Sequence, residues 1–394
     1  MNMRTKDMQV LLQFGAGNIG RSLCANIFSQ MGWEIVFVDT DQVIVDEINA
    51  RGEYDISVKE DTGSVLTISP VRAMSFTQHD EVLSMLRQAD IISTAVGARN
   101  LSQLFPVFTE GLAERDEMVN VLICENVKNS EEMFHNGLAE AGFSHFDRIS
   151  LIGTAIEKMV PNVPQEVRVK NPLATWGENY NILQVNGTNL CRPLPDSPDI
   201  IKVTSLPDCY ERKLYIANFC NTLTSVIGFL NGFTFIAEAL AVPVIKDFIK
   251  KAAIESSEAL KAKHPDIFKD QTADAYISQF LTRLGNLSLK DTVYRGGRDI
   301  GRKLKMGERL VGPAVLYFDM FNKVPAALCR AVAAALYFQA PDENGKSYEK
   351  DVLLCRSVKE KGVEDFLRNE IGLEDRDALV AQIKNEYSAW KDNF

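Results

Sequence analysis

The first apolar run of the chain, Leu11-Leu12-Gln13-Phe14, stops abruptly at Gly15, and glycine recurs at Gly17 and Gly20. The pattern predicts a strand, a tight turn and the start of a helix. Trp33-Glu34-Ile35-Val36-Phe37-Val38 reads as a second strand ending at Asp39, and residues 42–51 have helical spacing. Ser64-Val65-Leu66-Thr67-Ile68, residues 89–97 and residues 119–124 read as further strands. Apolar strands alternating with helical stretches predict an α/β fold with a doubly wound, mostly parallel sheet. From 161 to 207 the chain is irregular and proline-rich around the polar stretch Trp176-Gly177-Glu178-Asn179-Tyr180, which suits a rim between domains with extra strands. Beyond Asp208 the pattern changes to long helical stretches, about 209–231, 234–262, 270–284, 308–339 and 373–392. Two domains are therefore expected, 1–207 and a mainly α-helical 208–394, with the cleft between them as the default catalytic site.

The residues 15–20, Gly15-Ala16-Gly17-Asn18-Ile19-Gly20, give the first domain its chemistry. Gly15 permits the turn, Gly17 lets the backbone approach a pyrophosphate, Gly20 allows close helix packing, and the helix N-terminus points free N–H groups at an anion. Asp39 follows at the end of the second strand, where a carboxylate accepts from both ribose hydroxyls of NAD and repels the 2′-phosphate of NADP. Thr40 and Asp41 come next, with no arginine to take that phosphate. The first domain thus reads as a Rossmann-type, NAD-binding domain. Ligands of such sheets sit at the carboxyl ends of the strands, so Thr94-Ala95-Val96-Gly97 and the Glu125-Asn126 pair are expected near the nicotinamide. The other reading of Glu125-Asn126 is a helix cap after a strand.

Composition narrows the partners. A net charge of −10 argues against nucleic acid and anionic membrane surfaces, and leaves a small-molecule substrate. The first residues lead into the strand without an apolar leader, no long uncharged apolar run follows, and the seven cysteines form no Cys-x-x-Cys pair. These features place the protein in the cytoplasm with reduced thiols. The histidines, His79, His135, His145 and His264, have no metal-ligand spacing, so no metal is expected. No exposed apolar stripe argues for strong association, and a monomer or weak homo-oligomer is expected.

An NAD-dependent dehydrogenase without zinc needs a side chain to take the hydroxyl proton and donors to hold the oxygen as charge develops. Lys213, Asn218 and Asn221 share one helical stretch. At 100° per residue Asn218 lies about 140° from Lys213, with Asn221 between them, an arc that a long lysine stem can span. The competing reading of Lys213 is a solvated surface lysine. Arg295, Arg298, Arg302, Lys303, Lys305 and Arg309 crowd into fifteen residues, interrupted by Gly296, Gly297 and Gly301. Such a loop can wrap a phosphate or carboxylate, with Arg298 and Arg302 as preferred ligands, or form a solvated face of salt bridges.

Phe14-Gly15-Ala16-Gly17-Asn18-Ile19-Gly20-Arg21, Thr94-Ala95-Val96-Gly97, Cys124-Glu125-Asn126, Glu211-Arg212-Lys213-Leu214, Leu289-Lys290-Asp291 and Arg302-Lys303-Leu304 together give a specific, nearly end-to-end pattern. In it the chain resembles the polyol-specific long-chain dehydrogenases, the mannitol dehydrogenase family. The resemblance implies a Rossmann domain followed by a mainly helical one, no metal, Lys213 as general acid/base, and Asn126 with Asn218 as an oxyanion site. It implies interconversion of a polyol phosphate and a ketose phosphate, mannitol 1-phosphate and fructose 6-phosphate. Asn221 stands where the family has a histidine, Glu157-Lys158 where it has Asp-Arg, and Ile182-Leu183 where close relatives have Glu-Trp. Glu157 is accordingly expected on the substrate side. Two alternatives remain: a reductase of hexuronates such as tagaturonate or fructuronate, with the carboxylate on the basic loop, and an NAD-binding sensor with weakened catalysis.

Overall fold

The structure, a computed structural model, describes residues 8–60, 63–127, 129–161 and 163–391. The start of the chain, expected to lack an apolar leader, lies mostly outside them. The chain divides into two compact units, Met1–Pro207 and Asp208–Phe394.

The first unit is built on strands β1 (Val10–Phe14), β2 (Glu34–Asp39), β3 (Tyr54–Val58), β4 (Ser64–Ile68), β5 (Val71–Ser75), β6 (Ile91–Thr94), β7 (Val119–Ile123), β8 (Ile149–Ile156), β9 (Thr175–Gly177), β10 (Leu183–Asn186) and β11 (Ile200–Val203). Its helices include α1 (Ala25–Gln30), α2 (Gln42–Arg51), α3 (His79–Gln88), α4 (Leu104–Ala113), α5 (Ser130–Glu140) and α6 (Gln165–Lys170). The main sheet has eight strands in the order β11-β10-β8-β7-β6-β1-β2-β5. All neighbours from β8 to β5 are parallel, β10 runs antiparallel to β8, and β11 is parallel to β10. Successive residues of β1 and β2 serve opposite faces. Leu11, Ile35 and Phe37 pack with Leu23, Ile27 and Phe28, whereas Leu12, Phe14, Val36 and Val38 pack with Leu86, Phe108 and Phe134. Both faces are covered, which is why these strands read as continuous apolar runs.

Two features depart from the sequence expectation, and a third, the extra strands of the proline-rich stretch, follows it. Ser64–Ile68 is a strand, yet it belongs to a separate sheet, β4-β3-β9, antiparallel to β3. Its Val65 is 60% exposed, so this is an edge strand with a wet side and cannot sit inside a doubly covered sheet. The place beside β2 goes to Val71–Ser75, whose Arg72 interrupts the apolar pattern and pairs with Glu34 at 2.7 Å. The proline-rich stretch contributes β9 to the small sheet and β10 and β11 to the main one.

The second unit is helical: α7 (Leu206–Arg212, beginning just before the unit), α8 (Phe219–Leu230), α9 (Ile236–Leu240), α10 (Pro243–Lys263), α11 (Ala273–Leu284), α12 (Val293–Gly297), α13 (Ile300–Lys303), α14 (Val311–Phe321), α15 (Ala326–Ala335), α16 (Glu349–Lys361), α17 (Val363–Asp365) and α18 (Asp377–Lys391). The single stretch expected over 234–262 breaks before Pro243, and that over 308–339 breaks at Asn322, which has φ +50°, and Pro325. Helix α10 packs against α8, α11, α14 and α15. Among the described residues no helix is long and apolar enough to cross a membrane.

The glycine turn is fixed by contacts that no side chain could share. Gly15 has φ +90°, and a Cβ on it would lie 2.4 Å from the Ala95 carbonyl oxygen. A Cβ on Gly20 would lie 2.1 Å from the Gly15 carbonyl oxygen, whereas one on Gly17 would meet nothing within 4 Å. Two of the three glycines are therefore required by the protein itself, and the third faces open space. Gly20→Ala is expected to lower stability by roughly 1–3 kcal/mol through overpacking. Gly17→Ala should leave the melting temperature unchanged yet weaken NADH binding by about tenfold, or about 1.4 kcal/mol, in a fluorescence titration.

Candidate active site

In the main sheet, chain order reverses between β1 and β6, and there the Gly15 turn meets the segment after β6. Such a switch point opens a crevice at the carboxyl ends of the strands. A pocket of about 310 Å³ lies here, lined by Gly15, Gly17, Asp39, Ala95 and Val96 of the residues expected at the cofactor. Its wall also includes Phe76, Asn100, Gln103 and Leu104. These four escaped sequence reasoning: Phe76 follows a strand whose pattern Arg72 breaks, and the others lie where a 3-10 turn, Ala98–Gln103, runs into α4.

Asp39 Oδ2 accepts from the Ala16 N–H at 2.6 Å, and Oδ1 accepts from the Asp41 N–H at 2.9 Å. The carboxylate thus ties the end of β2 to the glycine turn, and its further lone pairs remain for hydroxyl donors. Asp41 is occupied elsewhere, capping α2 through the Val43 N–H at 3.0 Å. The helix after the turn opens as a π-turn, Gly20–Cys24, before α1. Ala16, Gly20 and Thr94 are buried and do not line the pocket, while Asn18, Gly97 and Asn126 are exposed and Ile19 is half-buried.

Glu125 does not cap a helix. Its carboxylate accepts from the Val96 N–H at 2.8 Å and the Gly97 N–H at 2.9 Å, strapping the loop after β6 to the end of β7. Gly97, at φ +85°, adopts the left-handed conformation that this strap demands. Burial pushes the Glu125 carboxyl above its ordinary pKa even though both amides favour the charged form. Asn126, the next residue, is exposed. Glu157 follows β8, one strand further along the sheet, and is buried. Its neighbour Lys158 is buried too and donates to Asn181, which also accepts from Asn26 of α1 at 3.0 Å.

In the second unit, α7 and α8 are one rod joined by a π-turn, Lys213–Asn218, with helical backbone at both junctions. This corrects the angular estimate made from the sequence. An i→i+5 turn places residues five apart one above the other, so Lys213 and Asn218 share a face instead of lying about 140° apart. Lys213, Asn218 and Asn221 are all half-buried. π-Turns inside α-helices are frequent at functional sites.

The basic loop packs against this rod. A Cβ on Gly296 would lie 2.0 Å from Ser225 Oγ and 2.9 Å from Asn221 Oδ1, so only a glycine lets α12 lie flush on α8. Much of the loop's charge is neutralised internally. Arg295 makes a bidentate pair with Asp291 at 2.5 Å, Arg302 binds Asp299 at 2.9 Å and Glu308 at 3.3 Å, and Arg309 binds Glu308 at 3.4 Å. Arg298 is exposed, stands over the Tyr294 ring at 5.9 Å, and has no carboxylate partner among the described residues. Lys303 is buried and donates to the Gly296 carbonyl at 2.6 Å. Burial, helped by Arg309 and Arg302, lowers its pKa to about 7. Asp351 accepts from the Asp299 N–H at 3.0 Å and the Ile300 N–H at 2.8 Å, which anchors the loop where α13 begins.

Comparison with known proteins agrees with both units. Residues 9–197 match the mannitol dehydrogenase Rossmann domain, and residues 206–391 match the mannitol dehydrogenase C-terminal domain. A mannitol-1-phosphate 5-dehydrogenase of Geobacillus thermodenitrificans (strain NG80-2) is 30% identical over 386 residues, covering 95% of this chain and 97% of the relative. Another, of Geobacillus stearothermophilus, is 29% identical over 96% of this chain and 99% of the relative. Two solved structures share the fold. A Pseudomonas fluorescens mannitol 2-dehydrogenase, in a ternary complex with NAD and D-mannitol, has a TM-score of 0.70 at 15% identity, covering 98% of this chain and 92% of that one. A substrate-free D-sorbitol dehydrogenase has a TM-score of 0.79 at 14% identity, covering 98% and 96%. With both of its family domains present in order along nearly the whole chain, this protein belongs to the mannitol dehydrogenase family.

Proposed function

We propose that this protein is an NAD-dependent oxidoreductase that interconverts mannitol 1-phosphate and fructose 6-phosphate. The observation that carries the chemistry is the π-turn that stacks Lys213 and Asn218 on one helix face. The near full-length likeness to two mannitol-1-phosphate 5-dehydrogenases supports the substrate. The residues of the first unit fit a dinucleotide. Gly17 leaves room where a side chain would obstruct, the pocket is large enough for part of a nucleotide, and Asp39 presents a carboxylate to a ribose.

When bound, NAD supplies the two-electron acceptor for the carbinol carbon. The protein's own groups manage the proton and the oxygen. Lys213 takes the hydroxyl proton, and the side-chain amides of Asn126 and Asn218 donate to the oxygen as its charge develops. In the direction of reduction Lys213 Nζ returns the proton. Asn221, beside Gly296, donates or accepts a hydrogen bond but carries no charge, so it orients substrate without helping to hold the lysine's proton. Arg298 takes the substrate phosphate, because it is a cation of the loop with no carboxylate partner among the described residues. Arg302 can join it by exchanging exposed ion pairs of small net worth, and Glu157 contributes to the substrate side. The seven free cysteines, six of them buried, suit a reducing cytoplasm.

Lys213→Ala should abolish turnover while leaving NADH affinity within about twofold, because the dinucleotide contacts belong to the other unit. Retained turnover would remove Lys213 from the acid/base role. Arg298→Gln should raise KM for fructose 6-phosphate on the order of ten- to a hundredfold, the loss of a charge-assisted contact, and leave KM for fructose nearly unchanged. Equal effects on the two ketoses would exclude the clamp. NADH oxidation by tagaturonate or fructuronate but not by fructose 6-phosphate would overturn the substrate assignment.

A further inference from the structure

The widened turn between Lys213 and Asn218 is gripped from outside its own helix. Ser256, fully buried in α10, donates its hydroxyl to the Tyr215 carbonyl at 2.8 Å. Tyr215 stands midway between Lys213 and Asn218, inside the π-turn. Two hydroxyls on the rod itself behave differently: Thr224 and Ser225 bond back to Cys220 and Asn221 of their own helix at 2.7 and 2.8 Å, the ordinary habit of helical serine and threonine. Ser256 instead crosses to a neighbouring helix and engages the main chain where the hydrogen-bond ladder changes spacing. Inserted side-chain donors are a recognised cause of such local changes in a helix. The Tyr215 side chain is fixed as well. Its ring leaves no room for a Cβ on Gly312, which would fall 2.5 Å from the phenol oxygen, and its hydroxyl reaches the Gly307 carbonyl at 3.4 Å.

We propose that Ser256 is a positioning residue for Lys213, holding the π-turn open so that Lys213 and Asn218 stay one turn apart. The inference rests on the reading of Lys213 as the acid/base. Without the hydroxyl, the turn loses its outside partner and can relax to α-helical spacing. That would swing Asn218 about 140° around the helix from Lys213. The substrate oxygen would then lose one of its donors while the dinucleotide pocket, built from the other unit, stays as it is.

The test compares Ser256→Ala and Ser256→Cys with Lys213→Ala, using fructose 6-phosphate and NADH. Cysteine is close to serine in size and a much weaker donor, so Ser256→Cys carries the test if the alanine variant does not fold. Both Ser256 variants should lower kcat by roughly ten- to a hundredfold, with KM for the ketose and Kd for NADH within about twofold of the parent. A merely structural role would change the melting temperature and leave kcat per folded molecule intact. Wild-type kcat in a folded Ser256 variant, with Lys213→Ala inactive, would overturn the role of Ser256 alone. An active Lys213→Ala would overturn the reading beneath it as well.

Discussion

A lysine and an asparagine five residues apart on an ordinary α-helix lie about 140° apart, an arc that only a long, extended lysine stem spans. The i→i+5 turn over Lys213–Asn218 narrows that arc by changing the backbone and leaving the residue types alone. Much of the second unit can be understood from this turn. Helix α10 supports it through Ser256, Gly312 makes room for the Tyr215 ring within it, and α12 lies flush on the rod just beyond it because residue 296 is a glycine. Upstream, α7 is braced by His264 against Glu211 at 2.6 Å and Asp208 at 3.3 Å, and by Arg212 on the Ile267 carbonyl at 3.0 Å.

The first unit follows a different constraint, the closeness of backbone to backbone at the switch point. Gly15 touches Ala95, Gly20 touches Gly15, and Glu125 straps residues 96 and 97 to the next strand. The crevice is therefore held by contacts within the protein itself. Asp39 takes part through the Ala16 amide, so the residue read as a ribose acceptor also fixes the turn it serves.

Residues with local signals were legible in the sequence. The glycine turn, the second strand with Asp39 at its end, and helix 42–51 follow from patterns within a few residues, and the structure has them. What stayed hidden depends on distant partners. Val71–Ser75 looks polar because Arg72 faces Glu34 across the strand pair, and Ser64–Ile68 looks apolar although its Val65 meets solvent. The basic loop read as six cations, yet Asp291, Asp299 and Glu308 neutralise three of its arginines, which shifts attention to Arg298. The π-turn has no residue signature at all: the stretch 209–231 carries regular helical spacing, and the Ser256 hydroxyl that reaches the turn comes from α10, far along the chain.

A crystal structure of the chain with NAD and mannitol 1-phosphate tests the central claim most directly. The oxygen on the reacting carbon is expected within about 3 Å of both Lys213 Nζ and the Asn218 side-chain amide, with the π-turn intact. An oxygen that contacts only one of the two, or a regular α-helix through 213–218, would contradict it.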